Sequence, residues 1–452
     1  MGRSADPARA RTAAIEVVRR LRDAGFVAYF AGGCVRDELL GLRPTDYDVA
    51  TDARPDAIRS MFERTHLVGL AFGVLLVHLH DCQIEVATFR ADGPYTDLRR
   101  PDSIEFSDAT SDASRRDFTI NALFLDPLGK PDGADVRDRV SGHVIDLVGG
   151  IDDLHARRIR AVGNPDQRLA EDHLRALRAV RFAARLGFEI EPSTADAIRR
   201  HAMQLKGVSR ERIGEEIRRM MEHPRRAHAA AILESLGLDA PVFDDPPDGS
   251  TPGTSALDIL AGLEAVRSEF VRHRLRYGTV LAAWCIDRIR SGRLQVDHNP
   301  WELGPRAAAA RGSLVARLRR ALCLSNDERD DLADGLEGLG VLLDAWDSRP
   351  VAGQKRIVAR RWFKDSLRLA LVLDPVTGES IVARVRELAR TPTGLTPDPW
   401  VTGDDLIAMG MTPGPLFRSV LDRVLDAQLE GRVRSKDEAV VLARELSGDP
   451  SV

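Results

Sequence analysis

The pattern of hydrophobic and polar positions changes character near residue 150. Before that point, short apolar runs rich in Val, Ile and Leu alternate with helical repeats and Gly-containing breaks, which is typical of mixed helix and strand structure. From about Leu154 onward, amphipathic helical repeats separated by brief Gly, Pro and Asp breaks continue to the C-terminus. The pattern therefore predicts an N-terminal region of helices and strands followed by an all-helical remainder.

The same spacing predicts individual elements of the first region. The predicted helices cover 13–21 and 35–40, and the predicted strands cover 27–31, 47–50, 74–79 and 84–89. Gly25 ends the first helix, and Gly32 with Gly33 forms a tight turn after the first strand. In the helical remainder, Pro-containing breaks at 244–250 and 391–400 predict a loop and a linker.

Composition places the chain among ordinary globular proteins. Its 452 residues are 43% hydrophobic and 30% charged, which suits about three domains. No apolar run approaches the roughly 20 residues of a transmembrane helix, and the N-terminus lacks the apolar stretch of a signal peptide. Four scattered cysteines argue against a Cys-x-x-Cys metal clamp and against a disulfide framework. We therefore expect a cytoplasmic protein that does not contact a membrane.

Charge is distributed unevenly along the chain. The net charge of −4 taken alone argues against a nucleic-acid partner. However, residues 151–220 carry 15 basic and 11 acidic side chains, whereas residues 1–150 carry 19 and 24. The local basic excess is compatible with an anionic ligand in the middle of the chain.

The glycines at 32 and 33 stand between a predicted strand and a predicted helix. Because glycine adopts unusual backbone angles at little cost, the N–H groups of this turn can approach a polyanion closely. The helix N-terminus adds its positive dipole end, and Arg36 adds a formal charge. An ordinary Gly-Gly turn without a ligand is the alternative for this segment by itself.

Asp46 and Asp48 are spaced i and i+2 on a predicted strand, so their carboxylates would share one face. Two like charges held this close are unfavourable unless a cation lies between them. Mg²⁺ prefers hard oxygen ligands and usually takes one or two carboxylates together with substrate phosphates. The pair is therefore typical of metal-assisted nucleotidyl transfer, and a solvated pair of acids on a surface loop is the alternative.

A third segment, 115–122 (Arg-Arg-Asp-Phe-Thr-Ile-Asn-Ala), combines two cations with an aspartate and an amide beside an apolar run. It fits a solvated helix start with Asp117 near the N-cap. It also fits a nucleotide-binding segment in which Arg116 contacts a triphosphate or a ribose. In that case Asp117 and Asn121 would support the arginine.

Taken in order, these segments resemble the head motifs of class II CCA-adding tRNA nucleotidyltransferases and of bacterial poly(A) polymerases. The matching stretches are 30–41 (Phe-Ala-Gly-Gly-Cys-Val-Arg-Asp-Glu-Leu-Leu-Gly), 46–48, 68–73, 85–93 and 115–122. The resemblance is close from about residue 15 to 225. It implies an α+β fold in which a polymerase-β-like nucleotidyltransferase head precedes all-helical neck, body and tail domains. The implied domain boundaries are 1–150, 151–225, 226–390 and 391–452.

The resemblance also implies roles for residues of the head. Asp46 and Asp48 would be the catalytic residues and would bind Mg²⁺. The incoming nucleotide would be held by the head residues Gly32, Gly33, Arg36 and Arg116. The role of Glu85, on a predicted strand near the acidic pair, stays open.

Residues 171–181 (Glu-Asp-His-Leu-Arg-Ala-Leu-Arg-Ala-Val-Arg) predict an amphipathic helix on which Asp172 and Arg175 are i, i+3 neighbours. Composition alone favours an ordinary ion pair there. A carboxylate that accepts from an exocyclic amine, beside a guanidinium that donates to a ring nitrogen, would select cytosine and adenine over uracil and guanine. The resemblance implies this base-reading role for Asp172 and Arg175. It assigns Arg178 and Arg181 to the triphosphate or to the helix framework.

The activity implied by the resemblance is stepwise addition of C, C and A to the tRNA 3′ end from CTP and ATP, without a nucleic-acid template. Alternatives within the enzyme class are a poly(A) polymerase and a specialised CC-adding or A-adding enzyme. The acidic C-terminal segment argues against the poly(A) polymerase, and the polar loop 92–114 does not decide between full and partial addition. From another class comes an inactive tRNA-binding protein, which has no need of both carboxylates.

Contacts to RNA outside the neck are less defined by the sequence. The basic and aromatic segment 355–364 is either an RNA contact or a solvated helix face with two core aromatics. No protein partner is indicated, and the oligomeric state and the tRNA preference stay open.

Overall fold

The structure is a computed structural model that describes residues 7–69, 73–93, 103–130, 140–245 and 255–447. The chain divides into two compact units, Met1–Asp245 and Pro246–Val452. The domain boundaries expected from the sequence are finer than this division and stay predictions. Some stretches singled out from the sequence are described only in part or end where the described ranges are interrupted. They are the matching stretches 68–73 and 85–93 and the loops 92–114 and 244–250.

A seven-stranded mixed sheet forms the centre of the first unit. The strands of this unit are β1 (Ala28–Ala31), β2 (Asp48–Thr51), β3 (Thr65–Gly69), β4 (Val74–Leu79), β5 (Cys82–Thr88), β6 (Arg90–Asp92), β7 (Ile104–Phe106), β8 (Phe124–Asp126), β9 (His143–Ile145), β10 (Arg158–Ile159) and β11 (Glu189–Ile190). The large sheet has the order β3-β4-β5-β2-β1-β8-β9, and β6–β7 and β10–β11 form separate pairs. The four strands predicted from the sequence are confirmed with end shifts of at most two residues.

The helices of the first unit pack on the sheet and then continue beyond it. They are α1 (Pro7–Asp23), α2 (Gly33–Leu39), α3 (Pro55–Met61), α4 (Ala109–Ser114), α5 (Gly150–His155), α6 (Pro165–Glu171), α7 (Leu174–Leu186), α8 (Pro192–His201), α9 (Arg210–Met221), α10 (Arg226–Ser235) and α11 (Asp239–Phe243). Helix α1 contacts β1 and β5, and its apolar residues Val17, Val18 and Leu21 are fully buried. Burial of this stripe explains why the helix forms where the periodicity predicts it.

Strand pairing brings distant parts of the sequence to one place in the sheet. Strand β1 pairs antiparallel with β2 and with β8, whereas β2 pairs parallel with β5. The β2–β5 register sets Asp48 beside Glu85. The turn between β1 and α2, the start of β2 and the middle of β5 thereby belong to one neighbourhood.

The prediction of one helix over 171–181 is wrong, because α6 ends at Glu171 and α7 begins at Leu174. Asp172 between them has φ −153° and ψ 103°. Its side chain accepts a hydrogen bond from the Leu174 N–H at 3.1 Å. A carboxylate that satisfies an unpaired N–H at a helix start favours a new helix after it over continuation of the old one. The same region also gains the short parallel pair of β10 and β11.

The described part of the second unit is helical. Its α-helices are α12 (Asp258–Gly262), α13 (Tyr277–Arg290), α14 (Pro305–Leu322), α15 (Asn326–Asp344), α16 (Val351–Val358), α17 (Phe363–Leu373), α18 (Pro375–Ala389), α19 (Gly403–Ala408), α20 (Pro415–Leu429) and α21 (Lys436–Ser447). Trp284 on α13 is fully buried, and α19, α20 and α21 share a core that includes Leu406, Val420 and Ala439. The segment 391–400 contains neither helix nor strand, as predicted.

The basic segment 355–364 is largely structural. Lys355 is 1% exposed, and its Nζ donates to the hydroxyls of Thr391 and Thr393 and to the carbonyl of Leu429 at 2.7–2.9 Å. Arg356 forms ion pairs with Asp422 and Asp426 on α20. These contacts tie α16 to the end of the second unit. Buried Lys355 therefore fits neither the RNA contact nor the solvated helix face expected from the sequence, and Arg356 is held by α20.

Two expectations from composition concern the chain as a whole. All four cysteines are free, with Cys323 exposed and the other three buried. Within the described ranges, no helix is both long enough and apolar enough to cross a membrane.

Candidate active site

The acidic pair lies where the chain enters β2. Asp48 is the first residue of that strand, and Asp46 lies just before it, so the prediction that both occupy the strand is wrong. Tyr47 between them is 3% exposed and donates a 2.6 Å hydrogen bond to Glu38, which also accepts from Arg11 at 2.8 Å. Because Tyr47 is anchored inward, the two carboxylates lie on the other side of the chain.

Negative charge accumulates at this point of the sheet. Burial, followed by the charges of Glu85 and Asp46, raises the pKa of Asp48 to about 7, and Arg116 opposes that shift. Partial loss of hydration and the Asp46 charge raise the pKa of Glu85 as well. A carboxylate whose ionised form is disfavoured by burial and by neighbouring acids is the situation in which a bound cation gains most. Glu85 therefore belongs to the acidic site electrostatically, which the sequence left open.

The donors of this site fit a hard divalent cation. Within the described ranges, no group of three or more His, Cys, Asp or Glu side chains is placed to hold a metal ion by itself. Asp46 and Asp48 supply two carboxylates, and Mg²⁺ usually takes one or two carboxylates with substrate phosphates. The ligand number and the unneutralised charge thus both suit Mg²⁺ bound together with a nucleotide.

The turn after β1 approaches Arg116 closely. Gly32 has φ +75°, and a Cβ there would lie 2.9 Å from Arg116 Nη1. The Arg116 guanidinium also donates to Asp112 at 2.9 and 3.1 Å and to the Asn121 carbonyl at 3.2 Å. Glycine is required at position 32 both for its backbone angle and for this contact. The turn and the arginine therefore form one surface, with Gly33 opening α2 beside it.

Arg36 is more deeply placed than its predicted role requires. It is 3% exposed, donates to Asp37 at 2.6 and 2.8 Å, and donates to the Asn121 side chain. Its guanidinium also lies 5.0 Å from the centre of the Phe182 ring. These contacts make Arg36 a support of the turn in this structure, and direct contact with a nucleotide stays a prediction.

Asp117 connects the sheet to α7. It accepts from Arg178 Nε at 2.8 Å, from the Asn121 amide at 3.1 Å and from the Phe118 N–H at 2.8 Å. Burial alone would raise the pKa of Asp117, but the Arg178 charge and these hydrogen bonds lower it to about 2. Arg178 is therefore held as the counter-ion of a buried carboxylate, which agrees with the framework alternative for this side chain.

Asp172 and Arg175 are not paired with each other. Arg212 Nη2 donates to Asp172 at 2.6 Å. Arg175 forms an ion pair with Glu171 and donates to the backbone carbonyl of Arg168 at 2.6 Å. The predicted i, i+3 ion pair is therefore wrong, and each proposed base-reading group is positioned by a different neighbour.

Phe182 is a central residue that sequence reasoning missed. The guanidiniums of Arg36, Arg178 and Arg181 lie 5.0, 5.4 and 4.3 Å from its ring centre. Arg181 also donates to Glu216 on α9 at 2.7 Å. The signal in the sequence was an aromatic residue inside an arginine stripe, a setting in which cation–π contact is common.

Comparisons with known proteins identify relatives of this chain. Residues 28–160 match the family model described as the Poly A polymerase head domain, and residues 187–248 match the probable RNA and SrmB-binding site of polymerase A. The CCA-adding enzyme of Limosilactobacillus fermentum is 43% identical over 430 residues, which is 94% of each chain. The CCA-adding enzyme of Latilactobacillus sakei is 42% identical over 226 residues, so that match spans about half of either protein.

Solved structures show the same fold. The Bacillus stearothermophilus CCA-adding enzyme in complex with CTP has a TM-score of 0.69 at 27% identity, with 97% of both chains covered. The Thermotoga maritima CCA-adding enzyme complexed with tRNA has a TM-score of 0.65 at 18% identity, covering 98% of this chain and 96% of that one, which supports the fold alone. Because a relative that is 43% identical matches it along 94% of both lengths, the chain belongs to the CCA-adding enzyme family of nucleotidyltransferases.

Proposed function

We propose that the protein adds C, C and A in sequence to the 3′ end of tRNA, taking CTP and ATP as substrates and no nucleic-acid template. The observation that carries this proposal is the placement of Asp46 and Asp48 beside Glu85 at the start of β2. Burial and the charges of Glu85 and Asp46 raise the pKa of Asp48, and a bound cation would relieve that cost. The match to a CCA-adding enzyme over 94% of both lengths supports the tRNA substrate. Since tRNA, CTP and ATP meet in the cytoplasm, the proposed activity belongs there.

The reaction requires a 3′ hydroxyl to attack the α-phosphate while pyrophosphate leaves. Asp46 and Asp48 would hold Mg²⁺, which when bound would neutralise the phosphates and favour the deprotonated hydroxyl. The N–H at Gly33 and the guanidinium of Arg116 would orient the triphosphate. The N–H of Gly32 donates instead to the Leu123 carbonyl at 3.1 Å, so Gly32 would serve by giving the turn its shape. Arg36, buried beneath the turn, would keep that turn in place through Asp37.

Base selection would fall to Asp172 and Arg175. The Asp172 carboxylate accepts from Arg212 and from the Leu174 N–H, and carboxylate oxygens retain capacity for a further donor such as an exocyclic amine. Arg175 uses both Nη atoms on Glu171 and on backbone carbonyls, while no described partner accepts from its Nε–H. A fixed acceptor beside a free donor suits cytosine and adenine and opposes uracil and guanine.

The alternatives predict different products from one assay. Purified protein is incubated with tRNA that ends at the discriminator base, with labelled CTP, ATP or both. A poly(A) polymerase would give long adenosine ladders, CC-adding and A-adding enzymes would each perform only their own step, and an inactive binding protein would retain tRNA without extending it.

An acidic-pair variant tests the chemistry. Asp46→Ala/Asp48→Ala should abolish extension while tRNA still binds. Asp56→Asn, an exposed carboxylate on α3, is the matched control and should keep wild-type rates. Extension by the double variant would refute the assignment of the metal ligands.

A further inference from the structure

A cleft of about 200 Å³ lies between α7, α9 and α10 in the first unit. Its floor is apolar and is formed by Ala184, Met220 and Ala229. Its rim consists of four arginines, Arg181, Arg185, Arg219 and Arg225, together with His223. Positive charges around an apolar floor attract an anion more strongly than they would in open water, because the apolar surface screens them less.

Most of the rim arginines have carboxylate partners outside the cleft. Arg181 pairs with Glu216, Arg185 with Asp37, and Arg219 with Glu215. Arg225 differs from these three arginines, because no carboxylate forms an ion pair with it among the residues that the structure describes. The rim therefore carries positive charge that this part of the chain does not neutralise.

Arg225 lies at the end of α7. Gly187 there has φ +70°, and Arg225 Nη1 occupies the space that a Cβ at that residue would take. The guanidinium therefore lies against the C-terminus of the helix, beside a glycine whose backbone angle other residues rarely adopt. Burial and the neighbouring guanidiniums of Arg185, Arg225 and Arg226 also lower the pKa of His223. The contribution of the guanidiniums to that shift has the sign expected beside uncompensated positive charge.

The cleft is linked to the proposed nucleotide site along α7. One stripe of this helix carries Arg175, Arg178, Arg181 and Arg185. The ten residue steps from Arg175 to Arg185 span about 15 Å. At one end of the stripe lies the proposed base-reading arginine. At the other end Arg185 donates to Asp37, the partner of buried Arg36, at 3.2 Å.

We infer that this cleft binds a backbone phosphate of the RNA primer close to its 3′ end, with the adjoining sugar on the apolar floor. This inference rests on the proposed function, because it takes the RNA to be tRNA. A contact to phosphate and sugar positions a strand without reading its sequence, which suits an enzyme that must act on many tRNAs. The other anion that could occupy the cleft is the triphosphate of CTP or ATP, and the test separates the two.

The test compares Arg225→Ala, Arg219→Ala and the control Arg199→Ala in the full-length protein. Arg219 is 54% exposed, so its replacement leaves the packing intact even if Arg225→Ala disturbs the contact with Gly187. Arg199 is likewise an exposed arginine with an i−3 carboxylate partner, but it lies on α8 outside the cleft. Filter binding gives the Kd for tRNA lacking CCA without nucleotide present, at several salt concentrations, and extension assays give KM for CTP.

Each cleft variant should raise the Kd for tRNA about tenfold, since a charge-assisted hydrogen bond is lost. The slope of log Kd against log salt concentration should fall by about one for Arg225→Ala, with KM for CTP unchanged. A Kd equal to that of Arg199→Ala for both cleft variants would overturn the inference. A rise in KM for CTP without a change in Kd would assign the cleft to the triphosphate and overturn it as well. Failure of the wild-type protein to extend tRNA that it binds would contradict the proposed function and leave the binding test intact.

Discussion

Replacement of Asp48 by asparagine should stabilise the metal-free protein while it removes activity. The pKa of Asp48 is raised to about 7 from an ordinary value of 3.8 by burial and by the charges of Glu85 and Asp46. Because the folded pKa lies above the unfolded one, the folded state holds the proton more tightly. The stability contributed by that proton is complete below pH 3.8 and is lost as the pH rises through about 7.

The magnitude follows from the size of the shift. At about 1.4 kcal/mol per pKa unit, ionisation of Asp48 costs the folded protein about 4 kcal/mol. Asparagine keeps the shape of the side chain and cannot ionise. The difference in unfolding free energy between Asp48→Asn and wild type should therefore grow between pH 4 and 7 and stay constant above that, at up to about 4 kcal/mol.

The assay must report on the first unit. All five tryptophans lie in the second unit, so their fluorescence does not follow unfolding around β2. Hydrogen exchange of the β2 and β5 amides in EDTA, from pH 5 to 8.5, reports the local free energy of opening. Glu63→Gln, an exposed acid in the same unit, is the matched control and should show no such trend. Added Mg²⁺ should stabilise wild type and not Asp48→Asn.

A stability difference that does not change with pH would refute the electrostatic argument for Asp48. So would a variant that is less stable than wild type at pH 8.5. Equal stabilisation of both proteins by Mg²⁺ would place the ion elsewhere.

Three further predictions concern other parts of the chain. Gly32→Ala should lower kcat/KM for CTP at least tenfold, because its Cβ would displace Arg116. The control Gly41→Ala has φ +69° and nothing within 4 Å, so it should cost about 1–2 kcal/mol in unfolding free energy and leave activity intact. Asp172→Ala should reduce the preference for CTP over UTP by at least 100-fold, measured as the ratio of kcat/KM values, and an unchanged ratio would exclude a base-reading carboxylate. Lys355→Met should destabilise the second unit by about 1–3 kcal/mol in tryptophan-monitored urea unfolding, since one buried carbonyl and two partly buried hydroxyls lose a donor. No destabilisation would show that water replaces the lysine.

Local patterns in the sequence predicted much of the head. Short apolar runs identified the strands, because burial on a sheet demands them. The order of the Gly-Gly turn, the acidic pair and the arginine segment predicted which parts would meet. The β2–β5 pairing then added Glu85, whose register with Asp48 depends on strand order and cannot be read from either segment alone.

The neck was predicted less well, for physical reasons. Helical periodicity continues through Asp172, but that carboxylate caps the next helix and breaks the pattern. Its partner Arg212 is 40 residues away in sequence, and such long-range ion pairs leave no local signal. The partners of Lys355 are also far away in sequence. A basic residue in a basic segment is expected to be solvated, but Lys355 is buried and bonded to backbone and hydroxyl groups.

The most direct test of the proposed activity is the length of the product made from tRNA that ends at the discriminator base. With CTP alone, the proposal predicts addition of two nucleotides and then a stop. With CTP and ATP together, it predicts three nucleotides of sequence C, C, A and no further growth. Addition of adenosine to the discriminator base, growth beyond three nucleotides, or no extension of a tRNA that the protein binds would contradict it.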